Sequence, residues 1–115
     1  MTSIIYKISP RTAWQQAESA GRFTGAPVDL ADGYIHFSTA AQVRETAAKH
    51  FAGAADLVLV AVDAAALGAD LVWEPSRGGA LFPHLYADLP MSAVLWAKPL
   101  PLGADGVHLF PPLAD

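Results

Sequence analysis

The chain has 115 residues and a formal net charge of −4, with 53% hydrophobic and only 16% charged residues. Twenty-three residues are alanine, which leaves 38 larger apolar side chains, enough to fill an ordinary core and too many for a disordered chain. The acidic balance argues against a general nucleic-acid binder, which needs a basic face to displace counterions from phosphates, though a local pocket on an acidic protein can still be positive. The absence of cysteine excludes disulfides, zinc ribbons and thiol catalysis.

The length suits one domain over residues 1–115, a core over 1–100 followed by a Pro/Gly-rich tail over 101–115. The start lacks a basic region and a long apolar run, so no signal peptide is expected. The longest apolar stretch, Leu57 to Trp73, is broken by Asp63 and Asp70, so no membrane span is expected. A cytoplasmic location follows as the expectation.

In chain order, Ile4 to Ile8 reads as a strand, with Ile4, Tyr6 and Ile8 on one face and Ile5 and Lys7 on the other. Ser9-Pro10 opens a helix carrying Trp14, Ala17 and Glu18, and Gly21 stops it. Phe23 to Ala31, with Gly25, Pro27 and Asp29, reads as a loop, and Asp32-Gly33 as a turn. Tyr34 to Ser38 alternates as a strand. Thr39 with Gln42 fits a capping box for a helix to about Phe51, buried along Val43, Ala47 and Phe51.

The β-branched run Leu57 to Val62 predicts a central strand buried on both faces. A helical turn over Asp63 to Gly68 and a strand over Leu71 to Glu74, closed by Pro75, come next. Ser76 to Gly79 is a flexible loop, Pro83 to Tyr86 is extended, and Ala93 to Ala97 is the last clear strand. The tail reads as irregular cover, with Val107 to Phe110 a candidate for pairing. The fold class expected is α+β, a small antiparallel or split β structure of about six short strands with two main helices.

Three segments carry the polar chemistry. On the strand Tyr34 to Ser38, Ile35 and Phe37 share one face while Tyr34, His36 and Ser38 share the other, as on the floor of a cleft. In Trp73 to Gly79, Glu74 lies opposite Leu71 and Trp73. There Arg77 beside Gly78 could bring a guanidinium and bare N–H groups to an anion. In Phe82 to Tyr86, His84 and Tyr86 share a face. His36, Glu74 and His84 are therefore the candidate catalytic residues, and Tyr34, Ser38, Arg77, Gly78 and Tyr86 the candidate ligand-binding ones. A histidine can act as acid or base near neutral pH. A small-molecule ligand of nucleotide or anionic type is the expected partner. Two other readings stay open: an interaction module, self-associating through Trp96 or Phe110, and a metal-dependent hydrolase using His36, His84 and Glu74. His50 and His108 read as structural.

Together, D-G-Y-I-H-F-S-T (Asp32 to Thr39), W-E-P-S-R-G-G (Trp73 to Gly79) and F-P-H-L-Y (Phe82 to Tyr86) resemble the small bacterial proteins called domain of unknown function 952. The likeness extends from Ile4 to about Leu100. That family is in turn similar, at a distance, to the ADP-ribosyltransferase fold, a split β structure that clasps NAD between two sheets. The resemblance implies NAD as a cofactor or substrate, a transferase-like activity, and His36 and Ser38 on a strand meeting the nicotinamide ribose. It implies Arg77 and His84 near the pyrophosphate or second substrate. The sequence departs from that pattern at Lys7, where such folds often carry His or Arg, and in having no Gln-x-Glu segment after Ala93.

Overall fold

The structure, a computed structural model, describes residues 4–115, and the Arg77 side chain lies outside the description. It is α+β, as expected, with antiparallel sheets and three α-helices among the described residues. In chain order these are β1 (Ile4–Pro10), α1 (Arg11–Ala20), β2 (Arg22–Phe23), α2 (Pro27–Asp32), β3 (Ile35–His36), β4 (Ser38–Thr39) and α3 (Ala40–His50). They continue with β5 (Leu57–Asp63), β6 (Leu71–Pro75), β7 (Leu81–Leu85), β8 (Leu89–Pro90) and β9 (Val94–Leu100). Of the strands, β2 and β8 are two-residue pairings too short to leave an alternating pattern, and β3 and β4 fall within the one strand expected over Tyr34 to Ser38, which is why about six strands are expected from the sequence.

The main sheet has the order β4-β1-β5-β9. Its centre is β5, whose first six residues are buried because β1 and β9 pair with it on both sides and both faces are covered. On one face Ile5, Val58, Val60 and Val62 pack with Trp14 of α1 and with Phe23 of β2. On the other, Tyr6, Ile8 and Leu59 pack with Val43 and Ala47 of α3, and the tail adds Phe110 and Leu113. This alternation is the one expected for Ile4 to Ile8.

A second sheet, β3-β7-β6, stands beside the first. The chain passes between them within one extended segment. Ile35 and His36 pair with Leu85 and His84 of β7, Phe37 N–H donates to the Pro83 carbonyl at 3.0 Å, and Ser38 and Thr39 then pair with Tyr6 and Ile5 of β1. The strand predicted over Tyr34 to Ser38 is thus a splice between two sheets, and a cleft opens where they part.

The residues 27–32 form a short helix, contrary to the loop expected over Phe23 to Ala31. Pro27 stands at its first position, the Asp29 carboxylate accepts the Ala26 N–H at 2.7 Å, and Gly33 ends it at φ 86°, a left-handed conformation suited to glycine. Six residues carry less than two turns, too few for an apolar stripe to show in sequence. The start of α1 also differs. Pro10, not Ser9, is the residue preceding its first turn, and the Ser9 hydroxyl donates to the Pro10 carbonyl instead of capping the helix. For α3, Gln42 Oε1 accepts the Thr39 N–H at 3.0 Å, the reach-back half of the predicted box. In the tail, the pairing is a single bridge between Leu102 and His108.

Candidate active site

A cleft of about 460 Å³ opens at the split between the sheets. Its wall combines β1 (Tyr6 to Ile8), the splice (Tyr34, His36 to Ser38), β7 (Phe82 and His84) and the side of α3 carrying Thr46 and His50. The volume falls within the range typical of small-molecule sites.

Two buried charges, 22 positions apart in sequence, meet at its wall. Lys7 sits on the otherwise apolar β1 and is only 3% exposed, and Asp29 of α2 is 2% exposed. Lys7 Nζ donates to Asp29 at 2.8 Å. Asp29 also accepts the Ala26 N–H at 2.7 Å, the His36 N–H at 3.0 Å and the His36 ring at Nδ1, 2.6 Å. Burial alone would raise the Asp29 carboxyl, but the His36 ring, Lys7 and the His36 N–H outweigh it and hold the group down to about 2. Burial also pushes the Lys7 ammonium below its usual value, against the pull of Asp29.

These shifts give a pH prediction. A carboxyl depressed from 3.8 to about 2 stabilises the fold fully above the unfolded value, and that contribution is lost as pH falls through the folded one. About 2 kcal/mol should disappear between roughly pH 4 and pH 2. Denaturant melts across this window should show Asp29→Asn losing less stability per pH unit than the parent chain, and parallel slopes would contradict the assignment.

The splice orients His36 between two carboxylates: Nδ1 faces Asp29, and Nε2 faces the half-exposed Asp32 at 2.9 Å. Across the strand pair its register partner is His84. The His84 ring presents Nδ1 to Glu74 Oε1 at 2.7 Å, and the Tyr86 hydroxyl donates to the same oxygen at 2.7 Å. Glu74 reaches both because β6 pairs with β7 in a register that puts Val72 opposite His84, so Glu74, two residues on, is its diagonal neighbour. The hydrogen bonds from Tyr86 and His84 hold the Glu74 carboxyl below its usual range, and the same contact pushes the Tyr86 phenol up to about 12. Since the ionised carboxylate only accepts, a neutral His84 carries its proton on Nδ1 and leaves the Nε2 lone pair bare.

Tyr34 ties the two histidines together. Its ring lies 4.2 Å from that of His84, 4.6 Å from that of His36 and 5.2 Å from that of Tyr86. Burial, with Asp32 and Glu74 nearby, raises the Tyr34 phenol. Of the residues singled out in sequence, Tyr34, His36, Ser38 and His84 line the cleft. Glu74 and Tyr86 lie behind His84 rather than in the lining. Gly78 is exposed in the β6–β7 hairpin turn and is not among the lining residues, while the neighbouring Ser76 is. Arg77 contributes its backbone to that turn, and its side chain lies outside the described residues.

Sequence reasoning missed Lys7, Asp29, Asp32, Thr46 and Ser76. The signal for Lys7 was a lone charge within Ile-Ile-Tyr-Lys-Ile, and for Asp29 an acidic residue two positions after a helix-starting proline. His50, expected to be structural, is among the residues lining the cleft. His108 is buried, and its Nε2 donates to the Ala54 carbonyl at 2.8 Å.

The metal reading of His36, His84 and Glu74 does not fit: His36 has both ring nitrogens on carboxylates, and Glu74 holds His84 rather than sharing an ion with it. Among the described residues no three His, Asp or Glu side chains are grouped to hold a metal. Trp96 and Phe110, offered for self-association, are engaged within the chain, Trp96 against Tyr6 at 6.0 Å and Phe110 beneath the Arg44 guanidinium at 5.3 Å. No helix among the described residues is long and apolar enough to cross a membrane.

A family profile described as a protein of unknown function, DUF952, matches residues 8–97, which takes in α2, the splice, and both histidine pairs. The chain belongs to the DUF952 family. The crystal structure of protein CC0527 from Caulobacter crescentus is similar to this DUF952 chain at 56% identity and a TM-score of 0.89, covering 93% of this chain and 94% of that one. The solution structure of CC0527 is similar at 58% identity and a TM-score of 0.81, covering 90% of each. No curated protein matches the chain significantly.

Proposed function

We propose that the cleft binds a small ligand of nucleotide type, NAD and ADP-ribose being the two that the ADP-ribosyltransferase-like resemblance brings forward. One observation carries this reading. Lys7, His36 and His84 converge with the hydroxyl side chains Ser38, Thr46 and Ser76 on a cleft whose remaining wall, apart from Asp32 and His50, is apolar and aromatic, including Val28, Phe37 and Phe82. Donors and a cation suit phosphate and ribose oxygens, and the aromatic wall suits a flat base.

The acidic overall charge does not oppose such a ligand, because Lys7 and the rings of His36 and His84 set donors into a wall that also carries Asp32. Calorimetry with NAD, ADP-ribose and adenosine 3′-monophosphate tests the reading. At least one should bind, and His84→Asn or Lys7→Met should weaken it by on the order of tenfold, the loss of one charge-assisted hydrogen bond. The absence of heat from all three at millimolar concentration would refute it.

A further inference from the structure

Two histidine–carboxylate pairs face this one cleft, and they are not alike. His36 and His84 sit opposite each other in the β3–β7 register, their rings 5.6 Å apart and near perpendicular. Each places Nδ1 on a carboxylate, Asp29 at 2.6 Å and Glu74 at 2.7 Å. Among the described residues, His36 and not His84 has a second carboxylate, Asp32, at Nε2. Ionised carboxylates only accept, so His36 satisfies both of its partners only with a proton on each ring nitrogen. His84, with one partner among the described residues, keeps Nε2 as a bare lone pair in its neutral form. One ring is arranged to give a proton and its neighbour to take one, and Lys7 adds an ammonium to the same cleft. The Asp32 side chain on that nitrogen is 47% exposed, so an acid role for His36 requires it to turn into solvent and release the His36 Nε2–H.

We propose that His36 and His84 form an acid–base couple that hydrolyses a nucleotide cyclic phosphodiester, an inference that rests on the nucleotide reading above. Displacement at phosphorus places the attacking and leaving oxygens on opposite sides, so it calls for one base and one acid. His84 Nε2 takes a proton from water as the water oxygen bonds to phosphorus. The bond from phosphorus to the ribose oxygen breaks, and that oxygen takes the proton from His36 Nε2. The products are a phosphomonoester, a neutral His36 and a protonated His84, and solvent returns the two rings to their starting forms. Glu74 is a positioning residue, fixing the proton of His84 on Nδ1. Glycosidic chemistry needs two free carboxylates flanking the bond, and here Asp29 and Glu74 are both committed to histidine, which leaves Asp32 as a single carboxylate in the lining among the described residues.

The test incubates the full chain with adenosine 2′,3′-cyclic phosphate and follows the phosphorus resonance. The cyclic ester should convert to a monophosphate, and at saturating cyclic ester His84→Asn should lower the rate at least 100-fold, well beyond the roughly tenfold weakening expected for binding of adenosine 3′-monophosphate. Glu74→Gln should lower kcat on the order of tenfold with KM unchanged, a split that a purely structural role would not produce. A parent chain that binds the monophosphate yet leaves the cyclic ester intact overturns the acid–base couple and leaves the nucleotide reading standing. A chain that binds neither overturns the couple, and the nucleotide reading falls with it when NAD and ADP-ribose also fail to bind. Turnover by His84→Asn at the parent rate also overturns the couple.

Discussion

Replacing Asp29 with asparagine should lower the melting temperature by on the order of 10–20 °C, the equivalent of roughly 3–5 kcal/mol. The carboxylate is buried and accepts four hydrogen bonds, from Lys7 Nζ, two backbone N–H groups and the His36 ring. An amide of the same shape has one accepting oxygen in place of two and turns an N–H₂ toward groups that are themselves donors. It also leaves Lys7 as a buried ammonium whose only described hydrogen-bond partner has lost its charge. The opposite substitution is the milder one. With Lys7→Met, Asp29 keeps three of its four donors, and the methionine fills the apolar path of the lysine stem. Thermal melts of the two variants should therefore differ, Asp29→Asn losing at least twice as much as Lys7→Met. Equal losses would mean that the ion pair, rather than the carboxylate hub, is what the fold depends on.

The second large effect lies away from the cleft. Leu59→Ala should cost about 3–5 kcal/mol, because Leu59 is fully buried at the middle of β5 and packs in the cluster with Tyr6, Val43 and Leu100. Leu59 is paired in register with Ile8 of β1 and Lys98 of β9, so β5 has little room to shift into the space left behind. Denaturant unfolding measures this loss directly, as a lower midpoint with an unchanged slope. Ligand binding by the fraction that remains folded should be preserved, since Leu59 does not line the cleft. A loss under 1 kcal/mol would show that the site collapses around the smaller side chain.

These contrasts show what the sequence makes legible and what it hides. The centre of the main sheet can be read directly, because an unbroken run such as Leu57 to Val62 has one economical place, covered on both faces. The two His–Tyr segments can be read as well, since a period of two puts Tyr34 with His36, and His84 with Tyr86, on common faces. That His36 and His84 stand opposite one another depends on the β3–β7 register, which no local pattern encodes. The hub is hidden for a different reason. Asp29 lies in a helix of six residues, too short to show periodicity, and its partner Lys7 comes from the first strand. The pairing exists only once the splice at Phe37 has brought α2 against β1. The alternating pattern also gave no sign that this single extended segment serves two sheets, because the exchange costs it no change of face.

The cleft as a nucleotide-type site is tested most directly by the ring resonances of the histidines in a ¹H–¹⁵N spectrum of the full chain, titrated with ADP-ribose and adenosine 3′-monophosphate. His36 and His84 should shift together and saturate at one ligand concentration, while His108, held on the Ala54 carbonyl by its Nε2 and outside the cleft, should stay fixed. Stationary His36 and His84 signals at millimolar concentrations of both ligands, or a shift of His108 in their place, would contradict it.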